Sequence, residues 1–346
     1  MTSPTTSKEP RDFRVERLFH PTAHVPDVTQ AEQWFARAFG QKSKPLTAIL
    51  PSTPDYPTEY SLFTVIRDVF FDSVDPKLHF VNGVQRYPAA QVPSLKGLGW
   101  YIEGVEELYH ALRRHGIRCM DLTNNISDGD DPPLSRGGRV MTYFTVPEDA
   151  GLQYQFFREG PFPLDPRTTP GWVLGPVEAD DPLGIEHCAH HTILTSRPER
   201  ALRFIVDALG GTVVHQGRNE LLGAASTFVL IADALLEYAV PDPGTPAHAD
   251  LATHAPLDSY YGITWKVTDL DRVERHLAAI GVSIREQSSQ TIITQPDTSF
   301  GIPWGFTTTL SVKLPEGRGK TGGGTGDAEA LKAGAQRDHP FGSNKT

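Results

Sequence analysis

Cysteine is nearly absent from this chain: Cys119 and Cys188 are the two it has among 346 residues. Two thiols cannot build a disulfide framework, and their scarcity suits a reducing compartment. Basic excess is missing as well. Lys and Arg number 32 against 42 Asp and Glu, giving a formal net charge of −10, and no basic block stands out. Such a chain is a poor partner for nucleic acid or an anionic membrane surface. No run of about 18 apolar residues occurs, so no membrane-spanning helix is expected. Met1 to Arg17 lacks the apolar core of a secretory signal, and a cytoplasmic location is expected from these absences together.

What the chain has instead is one phrase written four times: a short strand, a turn residue, an amphipathic helix and a glycine. It runs from His20 to Gly40, Gly97 to Gly116, His190 to Gly210 and Gly262 to Gly281. Its first position is His in the odd copies and Gly in the even ones. Within the helices, Ala31, Trp34, Phe35, Ala38 and Phe39 recur at helical spacing, as do Leu270, Val273, Leu277 and Ile280. The closing Gly suits a left-handed residue just past the helix end. Alternating or apolar stretches follow, among them Tyr60 to Arg67, Val69 to Val74, Leu152 to Phe157, Leu235 to Val240 and Phe306 to Leu314. These read as hairpin strands. One unit is therefore β-α-β-β-β, and strands that outnumber single short helices indicate an α+β fold.

Six prolines between Pro161 and Pro182 mark residues 161–183 as a linker. Residues 14–160 and 184–315 are then two domains of paired units, 1–13 a flexible N-terminus and the Gly-rich 316–346 a flexible tail. Polar stretches at 123–138 and 241–260 are long enough to cover a binding site.

Side chains two apart on a strand share a face, so His20, Thr22 and His24 point one way. Asp72 and Glu237 each lie four residues before a proline, Pro76 and Pro241, on the last strand of the odd units. Each odd unit thus offers an imidazole and a carboxylate: His20 with Asp72, His190 with Glu237. If first and last strands lie side by side, each pair is half of a divalent-metal ligand set. The plain alternative is a hydrogen-bonded polar couple without an ion. The even units carry Gly97 with Gln155, and Gly262 with Thr309 or Ser311. His24, about 13 Å along the strand from His20, is too far to share an ion with it and is a candidate general base. Tyr101 and Gln155 should face inward as proton donor or substrate anchor. His191 should face away from His190, and Trp100 and Trp265 should pack beneath a helix.

Over residues 14–158 and 184–315 this arrangement resembles the vicinal oxygen chelate superfamily, which includes glyoxalase I, extradiol ring-cleaving dioxygenases and bleomycin-binding proteins. The resemblance implies two cupped, partly closed mixed sheets, each made from a pair of units, with metal ligands on first and last strands facing the cup. By position His20, Asp72, His190 and Glu237 match those ligands and Gln155 matches in part, while Gly97, Gly262, Thr309 and Ser311 depart from them. An extradiol enzyme of four units would draw its iron ligands from the third unit's first strand and both ligand strands of the fourth. A conventional member of that branch is not expected here. Were units one and three to meet, within the chain or across a homodimer, the four matching residues would make one set for Fe, Mn, Zn or Ni. The implied activity is that of an enzyme acting on a small oxygenated, aromatic organic molecule by enolate or proton-transfer chemistry, as isomerase or lyase, with a divalent metal. The other readings are a non-standard ring-cleaving dioxygenase and a metal-free small-molecule-binding or drug-sequestering protein. Of the two cups, the first carries more inward polar groups.

Overall fold

The computed structural model describes residues 11–137, 140–158, 162–310 and 312. Residues 1–10, Ser311 and the expected tail 316–346 lie outside them. The first unit comprises β1 (Arg14–His24), α1 (Val28–Phe39), β2 (Ser43–Pro45), β3 (Ser61–Ile66) and β4 (Val69–Val74). A small hairpin, β5 (Phe80–Val81) with β6 (Val84–Gln85), leads to the second unit. That unit holds β7 (Ser94–Glu103), α2 (Val105–Arg114), β8 (Cys119–Met120), β9 (Ser135–Gly137), β10 (Val140–Thr145), the short α3 (Pro147–Ala150) and β11 (Gln153–Arg158). The third has β12 (Ile185–Leu194), α4 (Pro198–Leu202) continued by a π-turn over Arg203–Ala208, β13 (Thr212–Asn219), β14 (Ala224–Ile231) and β15 (Ala234–Pro241). After α5 (Pro246–His254) come β16 (Ser259–Val267), α6 (Leu270–Ala279), β17 (Ile284–Gln287), β18 (Thr291–Thr294) and β19 (Trp304–Thr307).

Local chemistry explains these boundaries. The Asp27 carboxylate accepts the Thr29 amide at 2.7 Å to open α1, and Asp269 accepts the Asp271 amide at 2.9 Å to open α6. Gly40, Gly116, Gly210 and Gly281 all have φ between 66° and 91°, the left-handed turn that ends each phrase.

Two mixed sheets result, and the fold is α+β. One has the order β2-β3-β4-β1-β7-β11-β10-β8, with β9 alongside β10; the other runs β13-β14-β15-β12-β16-β19-β18-β17. In each, the first strands of the two units pair antiparallel at the centre. The last strand of each unit flanks its own first strand in parallel: β4 beside β1, β11 beside β7, β15 beside β12 and β19 beside β16. First and last strands are therefore neighbours throughout. β19 stops at Thr307, short of the strand expected to reach Leu314.

The helix-covered faces of both sheets share one apolar core. The α1 helix of the first unit packs against the second sheet: Phe39 meets Trp265 at 6.0 Å and Trp304 at 5.0 Å between ring centroids, and Trp34 stacks on Phe300. Trp265 does lie beneath a helix, but the helix comes from the other half of the chain. Tyr154 likewise meets Phe204 at 4.2 Å. The hairpin turns also cross. Asp233, between β14 and β15, accepts the Leu18 amide at 2.7 Å, and Asp68, between β3 and β4, accepts the Cys188 amide at 2.8 Å.

Residues 11–13 of the expected N-terminal segment and 162–183 of the expected linker are among those described. Phe13 is buried in the shared core, and Arg11 donates to the Asp207 carbonyl at 3.1 Å. Within the proline-rich stretch, Asp165 and Arg167 form a buried ion pair at 2.9 Å, and Arg167 also donates to the Asp68 carbonyl at 2.8 Å. Among the described residues no helix is long and apolar enough to cross a membrane.

Candidate functional site

The concave face of the first sheet encloses a cavity of about 420 Å³. A bulge in β1 between Leu18 and His20 lets Phe19 and His20 both reach it, rather than alternating across the sheet. Thr22, His24, Asp72, Tyr101 and Gln155 line the same space. Much of the remaining wall is aromatic: Phe63, Phe144, Phe157 and Phe162, with Tyr56 and Tyr60 bonded to each other through their hydroxyls at 2.7 Å.

His20 is held from two sides. Its Nδ1 lies 3.0 Å from the Thr22 hydroxyl, and its ring lies against Gly99. A Cβ at position 99 would stand 3.0 Å from His20 Cε1 and Nε2 and 3.1 Å from the Phe157 ring, so glycine is what admits the imidazole there. Burial, reinforced by the nearby Arg167 charge, lowers the His20 pKa to about 3, leaving the ring neutral. Burial also brings His24 to about 3, with Lys96 and Arg86 adding to the effect. Asp72 sits across from Thr22 in the parallel pairing of β1 with β4 and accepts a hydrogen bond from the Ser61 hydroxyl at 2.6 Å. Burial raises its pKa to about 7, against the opposing pull of that bond. The first cup thus pairs a neutral imidazole with a carboxyl that exchanges its proton near neutral pH.

The second cup is arranged alike and closed. Glu237 stands across from Thr192, as Asp72 does from Thr22. Glu237 Oε1 accepts from Asn219 at 2.8 Å and Ser226 at 2.7 Å; Oε2 accepts from Thr192 at 2.7 Å and faces His190 Nε2 at 3.4 Å. Burial alone would favour the neutral acid, but the His190 contact and these hydrogen bonds overcome it and bring Glu237 to about 2. Ala247 and Leu251 of α5 pack on Leu194, and Val312 packs on Phe228 and Leu235, filling the concave face. The 241–260 segment is thus a plug rather than a lid. His191 turns the other way, as expected, with Nδ1 2.6 Å from the Tyr260 hydroxyl.

Helix caps and strand pairing align the four units. His20, Gly97, His190 and Gly262 each lie seven residues before the helix cap of their unit, at Asp27, Gly104, Arg197 and Asp269, and are equivalent. Gln155 lies beside Gly99 as Asp72 lies beside Thr22, while across the central strand pair His20 meets Gly99. In the second sheet Gly305 lies beside Thr264 as Glu237 lies beside Thr192, so Gly305 rather than Thr309 is the counterpart of Glu237.

His20, Asp72, His190 and Glu237 do not gather into one set. The first two belong to one sheet and the last two to the other, and among the described residues no three His, Cys, Asp or Glu side chains group as metal ligands. The donors present do not fit a resident ion. Both oxygens of Glu237 are already engaged, and releasing them across a homodimer would break a fully buried network. In the first cup the imidazole occupies the space over Gly99. Asp72, one methylene shorter than Glu237, makes no ion pair with His20 among the described residues.

Several cavity residues escaped the sequence reading. His79, Arg86 and Tyr87 come from the connection between β4 and β7, which contains the β5–β6 hairpin, and Lys96 from the start of β7. The corresponding connection of the second half forms α5, so the repeat offers no counterpart to compare. The available signal was the density of aromatic, His and Arg residues in that stretch.

No family model and no curated protein matches the chain. Solved structures do. A variant of 4-hydroxymandelate synthase from Streptomyces coelicolor superposes with a TM-score of 0.54 at 12% identity, over 88% of this chain and 95% of that one. Methylmalonyl-CoA epimerase from Mycobacterium tuberculosis matches 36% of this chain and 89% of its own length at 19% identity, with a TM-score of 0.32. The fold of this chain is the vicinal oxygen chelate fold.

Proposed function

We propose that the first cup is the active site of a proton-transfer enzyme, an isomerase or lyase, whose substrate is a small oxygenated aromatic molecule with an acidic C–H beside a carbonyl. The observation that carries this reading is Asp72: a buried carboxyl in a largely aromatic cavity, bonded to Ser61 and poised at about 7. As carboxylate, Asp72 takes the proton from carbon, and the C–H electron pair moves into the carbonyl to form an enolate. Gln155 and Tyr101 are placed on the cavity wall to donate hydrogen bonds to the developing oxyanion. Return of the proton to the same or a neighbouring carbon gives an isomer; expulsion of a leaving group from the next carbon gives a lyase product. His20 and His24, both neutral, accept or donate hydrogen bonds to the substrate without competing for the proton. A cavity of about 420 Å³ suits one small organic molecule.

The test is solvent exchange. A panel of small aromatic carbonyl compounds is incubated with the protein in D₂O and followed by NMR. Deuterium incorporation is expected with the wild type and is expected to fall by about 10²-fold or more in Asp72→Asn. Exchange that persists in the variant, or is absent across the panel, overturns the proposal. Binding without exchange would instead favour a sequestering protein. The ring-cleaving alternative is not favoured, because Gly262 and Gly305 stand at the fourth unit's counterparts of His190 and Glu237, where iron ligands would be needed.

A further inference from the structure

Arg86 is 5% exposed, and its Nε, Nη1 and Nη2 are all buried without a hydrogen-bond partner among the described residues. Arginine does not shed its proton in a protein, so this is a buried full charge with five N–H donors unspent. What it touches is aromatic: its guanidinium carbon lies 4.1 Å from the Phe144 ring centroid and 4.8 Å from that of Tyr87. Such faces offset part of the desolvation but cannot accept several hydrogen bonds. Its neighbour His79 is in the same condition, 6% exposed, with both ring nitrogens buried and unpartnered. The His79 ring stacks on Tyr60 at 3.9 Å and lies 5.7 Å from Tyr87.

The backbone around this pair is firmly placed. The Arg86 amide donates to the His79 carbonyl at 3.0 Å, Asn124 donates to the Arg86 carbonyl at 3.3 Å, and the Tyr87 hydroxyl donates to Gln153 at 2.7 Å. Buried polar groups in native proteins are bonded unless something absent completes them. Both residues line the cavity that holds Asp72.

We propose that Arg86 and His79 form the carboxylate-binding end of the first cup, so that the molecule it takes is an aromatic carboxylic acid. A planar guanidinium pairs two parallel N–H groups with a carboxylate, and the imidazole beside it offers one more donor. The aromatic wall takes the body of the ligand, and Asp72 faces the part that reacts. This rests on the reading of the cavity as the substrate site and names the class of substrate.

The experiment compares 3-phenylpropanoate with 3-phenylpropanol and with phenylethyl phosphonate, by calorimetric titration of the whole protein. The wild type is expected to bind the carboxylate about tenfold or more tightly than the alcohol. Arg86→Met should abolish that preference while keeping alcohol binding, and should unfold at the same or a higher temperature, because it removes an unpaired buried charge. Arg86→Lys should restore part of the preference. Equal wild-type binding of acid and alcohol, or a preference retained in Arg86→Met, overturns the proposal; the first comparison needs no variant to fold. Tighter binding of the phosphonate than of the carboxylate overturns the carboxylate assignment. Asp72→Asn should keep the preference for the acid, so failure of the proton-transfer reading leaves this result standing and separable.

Discussion

His190 Nε2 lies 3.4 Å from Glu237 Oε2, and the corresponding pair in the first sheet, His20 and Asp72, makes no such contact among the described residues. One methylene separates Asp from Glu, and a threonine decides the rest. Thr192 gives its hydroxyl to Glu237, whereas Thr22 is bonded to His20. The second pair is a finished structural network. The first leaves a carboxyl facing a cavity.

Asp72 should make stability depend on pH. Its folded pKa, about 7, exceeds the ordinary value of 3.8. The stabilising contribution is therefore complete below about pH 4 and is lost as pH rises through about 7. That difference corresponds to at most about 4 kcal/mol. Unfolding midpoints measured from pH 4 to 8 should decline for the wild type more than for Asp72→Asn; parallel curves would mean that Asp72 titrates normally.

Glu237 should act in the opposite sense. Its folded pKa, about 2, lies below the ordinary 4.5, so the stability it provides is present above about pH 4.5 and lost as pH falls through about 2. Glu237→Ala leaves His190, Asn219, Ser226 and Thr192 unpaired and should cost about 3 kcal/mol or more. Ligand titration of the first cup should be unaffected, which separates this structural role from a catalytic one.

Gly99→Ala should displace the His20 ring. Its new Cβ would meet Cε1 and Nε2 at 3.0 Å, and overpacking of this kind costs about 1–3 kcal/mol. Adding His20→Ala should recover most of that loss, a coupling a double-mutant cycle would reveal. Simple additivity of the two changes would show that the ring is not what excludes a side chain at 99.

Chelation should change nothing. Protein purified without chelator should exchange substrate protons equally well before and after EDTA treatment, and His20→Ala should not alter its metal content. A stoichiometric ion lost together with activity would return His20, Asp72 and Gln155 to the role of ligands.

The features legible in the sequence were those written locally. Asp27 and Asp269 announce helix starts, and Gly40, Gly116, Gly210 and Gly281 announce helix ends, because capping depends on neighbours a few residues away. The pairing of first and last strands was a condition the repeat left open and the family resemblance supplied. That Gly99 faces His20 was not legible, because bulges at Leu18/His20 and Thr22/Ala23 shift the register between β1 and β7, and a bulge has no signature in side-chain type. Whether Glu237 held an ion or hydrogen bonds turned on Asn219 and Ser226, which β13 and β14 bring to it from elsewhere in the chain. Arg86 lay in a connection outside the repeat altogether.

The crossed turns carry a further consequence. Asp68 binds the backbone of the second sheet at Cys188, and Asp233 binds that of the first at Leu18. Reciprocity of that kind is the mark of an isologous two-fold interface. The chain is in effect a covalent dimer, in which each half supplies the acceptor the other's bulge requires. Tethering frees such an assembly from its own concentration, and it frees the halves from needing to stay identical. One could close its cup around a hydrogen-bonded carboxylate while the other kept its hollow.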